Sequence, residues 1–281
     1  EIYRCDWSSD VCSSDLSQII ILVRQMVYGV FGLADRVFHF RRPPVVIFCY
    51  HSIGTDDWRF TVSLEALQHQ MKLLLSYADP LTLSQVDQYL DGTFTPTRPG
   101  FLVTFDDGYH DILSTVDFFR EHGIKPVVFA LADPVRANRL EMENDKPLLT
   151  GDELLTLKSA GWDIGCHSAT HAHFVTLDEN GEKVEVREAK QLLEQCIGIP
   201  VSSFAYPKGG YTESIVEKIR EAGFRTAFTV EHGVATPQTN KFLIPRVGVD
   251  QSHSLAEFTV MSTVWGIRVK QCLANVIGKF L

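Results

Sequence analysis

Two adjacent carboxylates, Asp106 and Asp107, end an apolar run in the sequence TFDDG at residues 104–108. Ionised side chains that follow a buried strand are costly unless a partner compensates for their charge. One of the two could bind a metal ion while the other accepts a proton. A DDG sequence by itself is also a common turn, because Asp and Gly both favour turns. A second group of residues is needed to decide between these interpretations.

A pair of histidines provides that second group. His167 and His171 bracket the sequence HSATH, which directly follows another apolar run. Two imidazoles four residues apart can bind one ion, and with a carboxylate they make a three-ligand site that leaves a position for water. Together with the Asp pair, they predict a metal site.

A third segment, AYPKGG at residues 205–210, also ends an apolar run. Pro207 restricts the backbone, and the glycines allow it to approach a ligand closely. Taken alone, this stretch would be an ordinary turn. Beside the other two motifs, Tyr206 and Pro207 become candidates for substrate contact.

The elements that must position these residues are short apolar runs alternating with amphipathic, helix-like segments. The predicted strands are residues 45–50, 101–105, 127–131, 162–166, 203–206, 226–230 and 243–247. This alternation predicts an α/β fold with a parallel sheet and helical crossovers, either a barrel or a doubly wound sheet. About seven strands in one continuous run favour a single barrel.

The positions of the candidate residues along the predicted strands are an independent argument that they form one site. In a parallel barrel, the functional site lies at the carboxyl ends of the strands. The candidate residues that stand at such ends are His51, Asp106, Asp107, His167, Tyr206, Pro207 and Arg246. The sequence therefore predicts that they meet at one end of the barrel.

In this order, the three motifs resemble those of the polysaccharide deacetylase family, carbohydrate esterase family 4, over about residues 45–250. The resemblance implies a distorted (β/α)7 barrel that removes acetyl groups from N-acetylated sugars of a polysaccharide or envelope glycan. It implies a divalent metal, most often Zn2+, held by Asp107, His167 and His171, with Asp106 as the catalytic base. Such a metal activates water and polarises the acetyl carbonyl, and we expect the Tyr206 backbone N–H to help hold the oxyanion.

The chain departs from the family pattern at two places. The family commonly has an arginine that orients the base in the third motif, where this chain has Ala205. We predict that Arg246 supplies that contact from another strand end, although a structural arginine is the competing interpretation. The usual Leu-x-His motif for the general acid is also missing, and His51 is the first substitute, with His253 the second.

The charge balance and the cysteines of the chain argue against a nucleic-acid binder and against a disulfide framework. The 281 residues have 26 Lys and Arg against 35 Asp and Glu, a net charge of −9, which argues against a nucleic-acid binder with a basic surface. Two of the six cysteines lie in residues 1–16, and the other four, Cys49, Cys166, Cys196 and Cys272, follow no disulfide or metal-binding spacing, so buried free thiols are expected.

The chain ends differ from the central segment. Residues 1–16 resemble the translated end of a sequencing adapter, and we expect them to be foreign to the natural protein. Residues 17–42 and 254–281 each predict an amphipathic helix too polar to span a bilayer. Packing on the barrel is the favoured interpretation, and peripheral contact with a membrane is the alternative. The sequence fixes no localisation, and the family resemblance implies a cell-envelope or extracytoplasmic one. The sequence predicts no particular oligomeric state.

Three rival functions remain open at this point. An O-acetyl esterase or a hydrolase of a small cyclic amide would use the same motifs, because the bond attacked is chemically similar. A catalytically inactive carbohydrate-binding module is the third, favoured by Ala205 and opposed by the intact DDG and HSATH motifs.

Overall fold

A computed structural model describes residues 43–142 and 144–277 of the chain. Residues 1–16 and the helix predicted for residues 17–42 lie outside the described residues. Within the described ranges, no helix combines the length and apolar character needed to cross a bilayer.

The centre of the fold is a parallel sheet whose strands follow the predicted apolar runs. The strands of the chain are β1 (Val45–Tyr50), β2 (Ser52–Ile53), β3 (Thr61–Val62), β4 (Asp79–Pro80), β5 (Gly100–Phe105), β6 (Val127–Ala130), β7 (Asp163–Cys166), β8 (Ser203–Ala205), β9 (Thr226–Phe228) and β10 (Val247–Gly248). The order in the sheet is β10-β1-β5-β6-β7-β8-β9, with β4 paired to β5, while β2 and β3 form a separate parallel pair.

The sheet curls until its two edges meet. At one edge, β10 pairs with β1. At the other, Ile244 bridges Phe228 of β9 in the parallel direction, and its N–H donates to the Ala227 carbonyl at 2.9 Å. Residues 244–248 thus join β9 to β1, which confirms the predicted distorted barrel with a seventh, irregular strand.

Helices cover the outside of the sheet. They are α1 (Leu64–Tyr77), α2 (Leu83–Leu90), α3 (Val116–Glu121), α4 (Arg139–Met142), α5 (Gly151–Ser159), α6 (Glu179–Lys183), α7 (Ala189–Ile197), α8 (Glu213–Glu221), α9 (Leu255–Met261) and α10 (Val264–Ile277). Shorter turns are 3-10 helices at His110–Thr115, Pro134–Arg136, Phe174–Thr176 and Pro207–Gly209, and a π-helix at Val184–Glu188. Thr82 and Thr150 each begin a helix with a reciprocal capping box, which defines where the helix starts.

Side chains of each strand alternate between two apolar clusters. In β1, Val45 and Ile47 belong to a smaller cluster with Phe129 and Phe228, which fills the barrel. Phe48 belongs to the larger cluster under the helices. Because both faces are buried, the strands read as continuous apolar runs. The same alternation directs residues 49, 104 and 106 to the inside of the barrel at its carboxyl end.

The C-terminal segment differs from the single helix predicted for residues 254–281, because α9 ends at Met261 and α10 begins at Val264. The Thr263 hydroxyl accepts the Gly266 N–H at 3.1 Å and so begins a new helix. A β-carbon at Gly266 would lie 2.0 Å from the Val260 carbonyl oxygen, so only glycine permits this close approach.

A buried carboxylate outside the three motifs makes stability depend on pH. Asp87 lies in α2 and is 8% exposed, and burial, opposed by Arg225 at 3.7 Å, raises its pKa to about 6. A raised pKa favours the folded protein at low pH, and that contribution is lost as the pH rises through about 6.

Asp87→Asn should therefore gain stability relative to wild type as the pH rises from 4 to 7.5, by up to about 3 kcal/mol. Urea unfolding of both proteins across this range measures the difference. A difference that does not change with pH would contradict the assignment.

Candidate functional site

The backbone is unusual at the carboxyl end of the barrel. Among the described residues, those other than glycine with a left-handed backbone are Asp107 (φ 68°), Ser168 (φ 69°), His171 (φ 62°) and Lys208 (φ 52°). Each such residue costs about 1–2 kcal/mol, and all four lie in the three sequence motifs. Strain of this kind concentrates at functional sites.

Asp107, His167 and His171 converge as predicted. The Asp107 Oδ1 atom lies 3.3 Å from Nε2 of His167 and 3.3 Å from Nε2 of His171. All three residues are buried. Two imidazole nitrogens and one carboxylate oxygen, each about 2.0–2.1 Å from a tetrahedral zinc ion, would be about 3.3–3.4 Å apart. Both distances from Asp107 therefore match those expected between ligands of one zinc ion.

Hydrogen bonding leaves the ligand atoms available. Nδ1 of His167 lies 2.8 Å from the Ala205 carbonyl oxygen, which can only accept, so Nδ1 carries the proton. In the neutral ring, Nε2 then presents its lone pair toward Asp107. The Asp107 Oδ1 atom is buried and finds no hydrogen-bond partner among the described residues. An orphaned buried oxygen facing two imidazole nitrogens is what a cation site requires.

The pKa shifts of Asp107 and His171 also favour cation binding. Burial alone would raise the pKa of Asp107, but the imidazoles of His167 and His171 outweigh it and hold that pKa well below its usual range. Burial lowers the pKa of His171 to about 4. At neutral pH, Asp107 is thus ionised and His171 is neutral, the forms that bind metal. Burial would lower the pKa of His167, but Asp106 and Asp107 outweigh it and raise that pKa, so a cation bound there would displace a proton from that ring.

Asp106 points into the barrel and forms a two-point contact with Arg246. The Arg246 Nη1 atom donates to Asp106 Oδ1 at 2.7 Å, and Nη2 donates to Oδ2 at 2.6 Å. Arg246 is fully buried, and its remaining donors bind the Thr229 carbonyl at 2.8 Å and the Thr104 hydroxyl at 3.1 Å. The contact predicted from Arg246 is present.

This contact keeps the Asp106 carboxylate ionised. Burial would raise the pKa of Asp106, but Arg246 and His167 outweigh it and lower that pKa to about 2. The same pairing raises the pKa of Arg246 above its usual value against the effect of burial. The pairing therefore fixes the relative geometry of the two side chains and keeps Asp106 negatively and Arg246 positively charged.

Arg246→Lys and Arg246→Ala should both lower turnover by about 10- to 100-fold, because a misplaced catalytic group loses its alignment. Lysine keeps the charge but cannot make the two-point contact. Bound zinc should remain at one equivalent in both variants, as measured by atomic absorption. An unchanged rate in Arg246→Ala would show that Arg246 has only a structural role.

His51 also reaches this site. One of its ring nitrogens, the Cys49 sulfur and an Asp106 oxygen all lie within 4.8 Å of one another. Burial lowers the pKa of His51, and its ring packs against Phe60 with centroids 4.8 Å apart. The second candidate acid, His253, is held by Asp250, whose N–H donates to His253 Nδ1 at 3.1 Å.

The structure corrects the role predicted for the Tyr206 backbone. Its N–H donates to the Phe228 carbonyl at 3.0 Å, because the pairing of β8 with β9 continues one residue beyond β8. Its side chain is fully buried and its hydroxyl donates to the Phe242 carbonyl at 2.8 Å. Neither donor is available to an oxyanion. Pro207, also buried, begins the turn Pro207–Gly209 that follows.

Sequence reasoning missed the residue that fixes the histidine loop. Glu185, in the π-helix, is 6% exposed. Its carboxylate accepts the N–H groups of Ala169 and Thr170 at 2.9 Å each and the Thr170 hydroxyl at 2.7 Å. The available signal was an acidic residue on the apolar face of a predicted helix, which is weak without the position of the loop.

Residues 95–227 match the model of the polysaccharide deacetylase family. A Bacillus subtilis protein named for the same family, YxkH, is 23% identical over 213 residues, which are 75% of this chain and 74% of that protein. The family resemblance inferred from the three motifs is therefore confirmed.

Two solved structures have a similar fold. The Streptococcus pyogenes deacetylase PplD, solved in complex with acetate, has a TM-score of 0.69 and 16% identity, over 79% of this chain and 99% of that one. IcaB from Ammonifex degensii has a TM-score of 0.66 and 20% identity, over 80% of this chain and 99% of that one. At these identities the likeness establishes the fold alone.

Proposed function

We propose that this protein of the polysaccharide deacetylase family is a metal-dependent hydrolase that removes acetyl groups from N-acetylated sugars of a polysaccharide or envelope glycan. Residues 45–250 would form the catalytic unit. Asp107, His167 and His171 would hold the metal, most often Zn2+ for such a ligand set.

One observation carries the proposal. The base candidate Asp106 is paired to a buried arginine and stands directly beside a carboxylate oxygen that two imidazoles approach to 3.3 Å. A structural ion pair alone would not need the adjacent Asp-His-His group. A metal site alone would not need a second, ionised carboxylate beside it.

A divalent cation bound at Asp107 would lower the pKa of water and polarise the acetyl carbonyl. The protein's own residues carry the proton transfers. Asp106 accepts the proton that water loses as its oxygen bonds to the acetyl carbon. Arg246 holds both oxygens of that carboxylate in place throughout. Asp106 is ionised at neutral pH, so its carboxylate is in the unprotonated form that a base requires.

His51 is the group we assign to the departing amine. The carbon–nitrogen bond breaks as the nitrogen takes, through His51, the proton that Asp106 accepted from water, which leaves acetate and a free amino sugar. Its place beside Asp106 puts acid and base on the same side of the site. The packing of Phe60 against its ring limits how the imidazole can turn.

The tether by Arg246 also weighs against a catalytically inactive module. The missing arginine of the third motif and the missing Leu-x-His motif both favour that rival, and the Arg246 contacts at 2.7 and 2.6 Å weaken the first of these arguments. An O-acetyl esterase and a hydrolase of a small cyclic amide keep the same site, so the substrate must distinguish them. Action on an envelope glycan would place the protein at the cell envelope, with peripheral membrane contact through its end segments.

Acetate release from a panel of substrates tests the proposal. Zinc-loaded protein is incubated with N-acetylglucosamine oligomers, acetylated xylan and a cyclic amide, and acetate or ring opening is measured. We expect acetate from the N-acetylated oligomers. Release from xylan alone would identify an esterase, and no reaction with any substrate at full zinc occupancy would favour the binding module.

A further inference from the structure

A second group of metal-ligating side chains lies beside the Asp-His-His site and is separate from it. It consists of Cys49, His51 and Asp106, at the carboxyl ends of β1 and β5. Their ligand atoms all lie within 4.8 Å of one another. Cys49 is 2% exposed, and the pairing of Cys49 with Thr104 places its sulfur on the inner face that Asp106 also occupies.

The distances in this group suit a cation that prefers sulfur. The Cys49 Sγ atom lies 3.4 Å from Asp106 Oδ2. A tetrahedral zinc ion about 2.3 Å from sulfur and about 2.1 Å from oxygen would separate these two ligands by about 3.6 Å. The Cys49 thiol can donate to this oxygen, and a cation that bridges the two atoms would replace that hydrogen bond.

His51 completes the group with an independent observation. Its Nδ1 atom is buried and makes no hydrogen bond to any of the described residues. Buried ring nitrogens normally have a partner. A sulfur, an imidazole nitrogen and a carboxylate oxygen are together a ligand set for zinc, cobalt or cadmium.

We propose that Cys49, His51 and Asp106 form a second, inhibitory site for a thiophilic divalent cation. Binding forms a metal–sulfur bond and releases the thiol proton to solvent, so no oxidant or reductant is consumed. The cation would occupy the Asp106 oxygen that serves as the base and the His51 imidazole. Turnover would therefore fall when metal is present beyond the amount that the first site binds.

The second site must be weaker than the first. Arg246 already contacts both Asp106 oxygens at 2.7 and 2.6 Å, and its positive charge repels an incoming cation. A cation at Asp107, the next residue along the chain, adds to that repulsion. The first equivalent of metal should therefore fill the Asp-His-His site before the second binds.

Cobalt distinguishes the two sites, because only the second contains sulfur. The metal-free full-length chain is titrated with Co2+ and its absorption is recorded. We expect no sulfur-to-cobalt charge-transfer band during the first equivalent and growth of that band during the second. The same titration with Cys49→Ala should lose the band and keep the first equivalent.

Two further variants test whether the charge-transfer band comes from Cys49. Cys196→Ala, which removes an exposed thiol, should keep the band, whereas Cys49→Ser, which nearly preserves side-chain size, should lose it. Binding of the first cobalt equivalent shows that each variant is folded. A band that survives in both Cys49 variants, or no band in wild type at several equivalents, would overturn the proposal. None of these readouts depends on deacetylase activity.

Discussion

Asp106→Asn is expected to lower acetate release by about 10²- to 10⁴-fold, the range typical for loss of a general base. The amide has nearly the shape of the carboxylate but cannot take a proton from water. The residues proposed as metal ligands are unchanged, so the variant should still bind one equivalent of zinc. Turnover and zinc content measured on the same sample test both parts.

An exposed carboxylate provides the matched control. Asp117 has a side chain 78% exposed, and among the described residues it forms an ion pair with Arg120, three residues away. Asp117→Asn makes the same chemical change without altering the site, and its turnover should equal that of wild type. Asp106→Asn with wild-type turnover would mean that another group accepts the proton.

Asp107→Ala is expected to abolish stoichiometric zinc binding and, with it, acetate release. Loss of an outer hydrogen-bond partner typically weakens metal binding by about 10- to 100-fold, and removal of a direct ligand should exceed that. Zinc content after dialysis against buffer containing a weak chelator measures the effect.

The left-handed backbone of Asp107 is a reason to test a second variant at this position. Asp107 has a φ of 68°, where alanine costs about 1–2 kcal/mol and asparagine is tolerated. Asp107→Asn therefore removes the charge with less strain, and it should also lose zinc while its unfolding midpoint stays closer to that of wild type. Zinc bound at full stoichiometry by Asp107→Ala would show that the ligand assignment is wrong.

Much of the fold and the convergence of Asp107, His167 and His171 were predictable from local sequence. Strands buried on both faces leave continuous apolar runs, and motifs that follow those runs must meet at one end of a parallel barrel. Arg246 could be assigned to the base for the same reason, since it stands at the end of the last run. These predictions require only that the strands run parallel, because their carboxyl ends then lie at the same end of the barrel.

Features that depend on contacts between distant segments were not predictable. The Tyr206 N–H is occupied because strand pairing extends past β8 to Phe228, which no local pattern indicates. Glu185 lies in a π-helix and accepts a hydrogen bond from the histidine loop, 16 residues before it in the chain. Cys49 looked like an ordinary core thiol, and its contact with Asp106 arises from the register of β1 with β5.

Zinc dependence of acetate release is the most direct test of the central claim. Metal-free protein is supplied with increasing zinc, and acetate release from N-acetylglucosamine oligomers is followed for wild type and Asp106→Asn. Wild-type activity should be absent without metal and rise in proportion to zinc up to one equivalent, while Asp106→Asn binds the same zinc with little activity. Full acetate release by the metal-free wild type, or equal activity in Asp106→Asn, would contradict the account.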